Sequence, residues 1–181
     1  MRKTGVLLGV LALIILTGAG CSAGSVTTTD STSTMSHYEN KTNNFTLDYP
    51  KDWEKKEDVP DTVAAFISPQ KVQDEFPENI TVTIKKTDAN VHDYVASAVR
   101  NAPKSYDDFV LIDDKPTTLG GAEAEMITYT FTYNSIKPYT REVFAVKNGT
   151  LYDITFTASQ ESPDDNWDAA QKILASFKIT E

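Results

Sequence analysis

Ile127-Thr128-Tyr129-Thr130-Phe131-Thr132-Tyr133 alternates apolar and hydroxyl-bearing side chains without a break. Alternation at every second residue marks a strand whose two faces differ. Val143 to Val146 is a second apolar stretch, and Asn148-Gly149 follows it. Both of those residues tolerate positive φ, so the pair signals a tight two-residue hairpin. The return segment sets Tyr152, Ile154 and Phe156 against Asp153, Thr155 and Thr157. Three consecutive strands of this kind make an antiparallel meander.

Upstream of the meander, Phe109 to Ile112 is apolar and Gly120-Gly121 marks a turn. Val91, Tyr94, Val95, Ala98, Val99 and Ala102 fall on one stripe at three- and four-residue spacing, which predicts a helix over 91–102. Asn90 is placed to cap it, with Asp93 three residues on, and Pro103 ends it. Earlier still, Ile80, Val82 and Ile84 alternate with polar residues, Val63 to Ile67 is a compact apolar run, and Trp53 to Lys56 is extended. Phe45, Leu47 and Tyr49 alternate up to Pro50. Downstream, a second helix is expected over 163–177. Ser162 is its cap, Pro163 its first residue, Asp164 and Asp165 sit at its positive end, and Trp167, Ala170, Leu174 and Phe177 form its buried stripe. The pattern predicts one α+β domain, an antiparallel β-sheet with packed helices, over 37–181. Trp53 and Trp167 are both expected to be buried.

The chain begins differently. Arg2 and Lys3 form a basic head, and Val6 to Leu16 is an apolar run broken only by Gly9. The run is too short to span a bilayer, which takes about 20 residues. It reads as a secretory signal peptide over 1–20. Leu16-Thr17-Gly18-Ala19-Gly20-Cys21 then brings small residues up to the chain's one cysteine. This resembles the lipobox of bacterial-type lipoproteins, with Gly18 where a Leu usually stands. The resemblance implies a diacylglyceryl group on Cys21 and cleavage just before it. Two other readings of the same residues are a chance cysteine after an ordinary signal, and an uncut run acting as a weak anchor. Residues 21–36 are Ser/Thr-rich and poor in large apolar groups, so they form a tether. About 15 such residues reach roughly 20 Å. The expected address is the membrane, lipid-anchored and facing the extracytoplasmic side.

Composition narrows the partners. The chain carries 17 basic and 26 acidic residues, and loss of residues 1–20 leaves 15 against 26, a net charge of −11. An acidic domain argues against nucleic acid and against electrostatic docking on anionic lipid. Membrane contact is therefore expected through the lipid on Cys21, with a membrane or surface protein complex as the partner.

Phe45-Thr46-Leu47-Asp48-Tyr49-Pro50-Lys51-Asp52-Trp53 is similar to the opening motif of the PsbP-like group, an aromatic strand ending in Tyr-Pro with a Trp three residues later. Members often have Gly where this chain has Asp52. Asn79 to Ile84 resembles the family's next central strand. Gly149-Thr150-Leu151-Tyr152 and the span from Trp167 to Ser176-Phe177-Lys178-Ile179 resemble its closing hairpin and helix. The resemblance covers nearly all of residues 37–180. It implies the Mog1p/PsbP-like fold, an α/β/α sandwich, and no shared catalytic centre.

Candidate sites are few. His37 and His92 are the two histidines, and with no second cysteine they make no zinc set. Asp107-Asp108, Asp113-Asp114 and Asp164-Asp165 lack the alternating spacing and glycine of a calcium loop. No metal site, cofactor or catalytic residue is therefore expected. Glu123 and Glu125 share a strand face, and an acid–base pair there would serve a surface hydrolase using paired carboxylates. Thr128, Thr130, Thr132, Thr155 and Thr157 each lie opposite the apolar residues of their own strand. They form a candidate recognition face if neighbouring strands bring them together; a solvated face is the plain alternative. The expected function is a non-catalytic binding or assembly module, with the hydrolase as the alternative.

Overall fold

The computed structural model describes residues 35–71 and 76–180. The elements are β1 (Met35–Asn40), β2 (Phe45–Pro50), β3 (Glu54–Lys56), β4 (Ala64–Ile67), β5 (Asn79–Lys86), α1 (Val91–Asn101), β6 (Asp107–Leu119), β7 (Ala122–Thr132), β8 (Pro138–Lys147), β9 (Thr150–Ser159), α2 (Trp167–Ser176) and β10 (Lys178–Ile179). A seven-stranded antiparallel sheet runs β3-β4-β5-β9-β8-β7-β6, and a small sheet runs β1-β2-β10. The expected meander is there and gains β6 as its outer strand. Asn148 (φ 52°) and Gly149 (φ 70°) both take the left-handed conformation that the β8–β9 hairpin needs. Met35 and Ser36 pair with Pro50 and Tyr49, so the ladder takes in two residues that composition places in the tether.

Both faces of the large sheet are covered. α1 lies on Ile127, Tyr129, Phe131, Phe144 and Leu151. Its start is as expected: the Asn90 side chain accepts from the Asp93 backbone N–H at 2.8 Å. On the opposite face, α2 and the small sheet pack on Val82, Val143, Ile154 and Phe156. The architecture is therefore α+β, with layers in the order helix, sheet, then helix and small sheet.

The second helix begins four residues later than Pro163. Its acidic residues are taken by the body of the protein instead of its own backbone. Asp164 binds Arg141 Nη2 at 2.6 Å and Asp165 binds Lys71 Nζ at 2.6 Å. Asn166 sits at φ 59° and makes no side-chain cap; its Nδ2 donates to Glu78 Oε2 at 2.7 Å. Those ties hold 160–166 as turns, and the helix starts at Trp167. Arg141 also places its guanidinium 4.3 Å over the Trp167 ring. Trp167 is thus half-buried under a cation, while Trp53 is buried as expected.

Gly120 ties the two sheets at the β6–β7 turn. It bridges Lys178 and sits at φ 58°. A Cβ there would lie 3.0 Å from the Ile179 backbone nitrogen. Left-handed backbone alone costs an L-residue about 1–2 kcal/mol, and the clash adds to it. Gly120→Ala should lower stability by about 2 kcal/mol or more in urea melts. Gly121→Ala has open space around its Cβ. It should show the backbone cost without the clash, and equal losses at the two sites would refute the close approach.

Candidate functional site

The paired carboxylates of this protein are not the ones that the alternation singles out. β8 and β9 pair so that Glu142 lies opposite Thr155, with Asp153 two residues along on the same face. On the other side of β9, Thr83 of β5 lies opposite Asp153. Glu142 and Asp153 are both 0% exposed. The Tyr129 hydroxyl donates to Glu142 Oε2 at 2.8 Å, and the Thr155 hydroxyl to Asp153 Oδ1 at 3.3 Å. Burial pushes the Asp153 carboxyl up to about 6, against the opposing pull of a hydrogen bond from Glu142, the Lys85 charge and the Thr155 hydroxyl. Two adjacent buried carboxyls cannot both ionise cheaply, so the pair holds a proton between its members. Burial, followed by the Asp153 and Glu142 charges, also raises the Tyr94 hydroxyl, which stays neutral. Asp153 Oδ2 and Thr140 Oγ1 are buried without a hydrogen-bond partner.

This arrangement has the proton chemistry of an acid–base pair but offers no surface to a substrate. Sequence reasoning missed it because Glu142 and Asp153 occupy the polar positions of alternating strands. Those positions face solvent only when one side of a sheet is bare, and here both sides are covered.

Glu123 and Glu125 do not form a pair. Glu123 is exposed and Glu125 is buried. Burial raises the Glu125 carboxyl, helped by a hydrogen bond and charge from Asp114 and opposed by His92. The His92 Nδ1 lies 3.4 Å from Glu125 Oε2. Among the described residues no group of three or more His, Cys, Asp or Glu is arranged to hold a metal ion.

The threonines do not form one face. Thr128 lies opposite Arg141, which lies opposite Phe156; Ile127 lies opposite Glu142, which lies opposite Thr155. Residues opposite each other in an antiparallel pair share a face. Thr128, Thr130 and Thr132 therefore look toward the α2 side, and Thr155 and Thr157 toward the α1 side. Thr128, Thr130, Thr155 and Thr157 are all buried. The expected recognition face is corrected on both counts, since the register splits it and the covering layers bury it. Cys21, the signal segment over 1–20 and most of the tether lie outside the described residues.

What the fold does expose is β6. It is 13 residues long and forms one edge of the large sheet. Val110, Leu111 and Ile112 are 55%, 38% and 50% exposed, and Tyr133, just past the β7 end that pairs with Asp107, is 44% exposed. Asp107 and Asp108 precede this apolar run and Asp113 and Asp114 follow it. Register shifts fall between Asp107 and Val110 and between Leu111 and Asp113, so the edge is twisted there. A shallow groove of about 340 Å³ lies beside α2, lined by Leu119, Met126, Val143, Trp167 and Leu174, with no carboxylate among the described residues of its walls.

Solved structures of low identity share the fold. A cyanobacterial PsbP from Synechocystis matches with TM-score 0.58 at 15% identity, over 86% of this chain and 98% of that one. The Ran-binding protein Mog1p of Saccharomyces cerevisiae matches with TM-score 0.59 at 12% identity, over 83% and 97%. LpqN of Mycobacterium tuberculosis, a protein involved in cell envelope biogenesis, matches with TM-score 0.55 at 19% identity, over 84% and 87%. The Mog1p/PsbP-like fold is thus the fold of this chain. No curated protein matches it in sequence. The DcrB family model does match, over residues 45–176, from the first residue of β2 to the last of α2, and the chain belongs to the DcrB family.

Proposed function

We propose that this protein is a non-catalytic binding or assembly module, held by lipid on Cys21 at the extracytoplasmic side of the membrane. One observation carries the binding reading: among the described residues, the exposed large apolar side chains gather at one corner of the sheet, around β6, while the carboxylate pair is shut inside. A catalytic pair needs a cleft that admits substrate; an interaction surface needs exposed apolar area rimmed by polar groups. The relatives lend support. Mog1p is a Ran-binding protein and LpqN is involved in cell envelope biogenesis. Among the described residues no helix is long and apolar enough to cross a membrane. The anchor in this reading is Cys21, after a signal over 1–20, with the tether beyond it. A lipid and a tether raise the local concentration of a weak binder at one surface, so modest affinity suffices.

Cys21→Ser should release the protein from the membrane fraction on cell fractionation, with the folded domain unchanged by circular dichroism. Membrane retention equal to that of the parent would assign the anchor to the apolar run and remove the lipid from the reading. Cross-linking in intact cells should recover a membrane or surface protein with the parent. Recovery of none, together with turnover of a glycan or peptide substrate by the purified chain, would overturn the binding module in favour of a hydrolase.

A further inference from the structure

The two ends of the large sheet are unlike. β3 closes one end with three residues, Glu54, Lys55 and Lys56, and so presents a short charged edge. Short, charged strands are how soluble proteins blunt a sheet edge. β6 closes the other end with 13 residues and three consecutive exposed apolar side chains. Successive residues of a strand point to opposite faces, so Val110, Leu111 and Ile112 cannot all be hidden by one covering layer. Val110 lies opposite Thr130 and Leu111 opposite Tyr129, which puts apolar surface on both sides of the edge.

Charge selects the occupant. From Asp107 to Lys115 the strand carries four aspartates and one lysine. Lys115 lies 3.2 Å from Asp113, Asp108 accepts from the Thr132 hydroxyl at 2.9 Å, and Asp114 bonds to Glu125. The apolar centre therefore has an acidic flank on each side. A second copy fits poorly. Antiparallel pairing of two β6 strands about the Val110–Leu111 bond sets Asp107 of one against Asp114 of the other and Asp108 against Asp113, and like charges directly opposite repel. An anionic lipid surface fits poorly for the same reason. A segment with an apolar centre and a basic residue on each side meets both features at once.

We propose that β6 is a docking edge for an extended segment of a partner protein, apolar at its centre and flanked by lysine or arginine. This rests on the binding-module reading and gives that module its surface and its partner's chemistry. Apolar side chains supply the contact, and the aspartates supply selection and a faster encounter. Among the described residues β7 is the one strand paired with β6, so the outer edge of β6 can add main-chain hydrogen bonds, as in other cases where a peptide extends a sheet. The twist at the register shifts limits that ladder to a short stretch.

The test uses the full chain in detergent and two synthetic peptides. Both have a valine-isoleucine-valine centre; one is flanked by lysine pairs and the other by glutamate pairs. The lysine peptide should bind at least about tenfold more tightly than the glutamate peptide, with the difference shrinking as salt rises. Backbone amide signals of residues 109–115 should shift on binding. The double variant Val110→Lys, Ile112→Lys alters exposed side chains and should melt like the parent, but lose the lysine peptide. Equal binding of the two peptides, no binding of either, or undiminished binding by the double variant would overturn the proposal. So would concentration-dependent dimers that the double variant abolishes, which would assign the edge to a second copy. Flotation of the Cys21→Ser chain with anionic vesicles, lost on adding Val110→Lys, would assign it to lipid and overturn the proposal as well. The two readings fail separately: if the double variant still cross-links the parent's membrane partner in cells, the module stands and the β6 edge does not.

Discussion

Replacing Phe177 with alanine is expected to cost about 3–5 kcal/mol of stability, the loss typical of a buried phenylalanine. Phe177 is the residue that ends α2, and it is 2% exposed. Its ring stacks on Phe45 of β2 at 5.2 Å and 18°, and meets Tyr152 of β9 edge-on at 6.0 Å. It therefore joins the second helix, the small sheet and the large sheet at one point. Its neighbour Ser176 reinforces the joint, with Oγ accepting from the Asp48 backbone N–H at 2.8 Å. Removing the ring leaves a cavity that neither rigid sheet can close, so the transfer loss and the cavity loss add. Urea denaturation followed by tryptophan fluorescence measures the change, because Trp53 belongs to the same cluster as Phe177. Val110→Ala removes an exposed side chain and should stay within about 0.5 kcal/mol of the parent. A loss below about 1 kcal/mol for Phe177→Ala would mean that the small sheet is not held through this ring.

The joint at Phe177 also shows how far a sequence can be read. Phe45, Tyr152 and Phe177 each stand out as apolar members of their own elements, but nothing local says that three segments so far apart in the chain meet. Short-range signals were legible: Asn90 and Asp93 mark the start of α1, and Asn148-Gly149 marks the hairpin. Where a long-range partner competes for a local signal, the local reading failed. Asp164 and Asp165 look like residues of a helix start, yet Arg141 and Lys71 draw them away and the helix begins at Trp167. The threonines failed for a different reason. A period of two tells which residues of one strand share a face, but not which faces of two strands coincide. Register decides that, and it sets Thr128 with Phe156 rather than with Thr155. For β6 the sequence shows only that Phe109 to Ile112 is apolar, and the order of the sheet alone places it at an edge. The family motif carried the fold because it spans those separated pieces.

Asp153→Asn is expected to stabilise the protein at pH 8 and to leave it unchanged near pH 4. The parent carboxyl is held up to about 6 in the fold, mainly by burial, against about 3.9 in an unfolded chain. The folded state therefore binds more protons than the unfolded state between those values. Its stabilising contribution is complete below about pH 4 and is lost as pH rises through 6. At pH 8 the fold holds a buried carboxylate beside Glu142, at a cost on the order of 2 kcal/mol. Asparagine has nearly the same shape and no charge to bury. Its Oδ1 can still accept from Thr155. Its Nδ2 replaces one carboxyl oxygen and can serve the hydrogen bond that Asp153 shares with Glu142. The melting temperature at pH 8 should rise by roughly 4–8 °C, given about 2–4 °C per kcal/mol for a chain of this size. The fall in stability between pH 4 and pH 7 should flatten in the variant. Asp108→Asn, at an exposed position on β6, should leave the melting temperature at pH 8 unchanged. If Asp153→Asn melts at or below the parent at pH 8 with the same slope, the two buried carboxyls do not share a proton. The core would then be holding the Asp153 charge through groups other than Glu142.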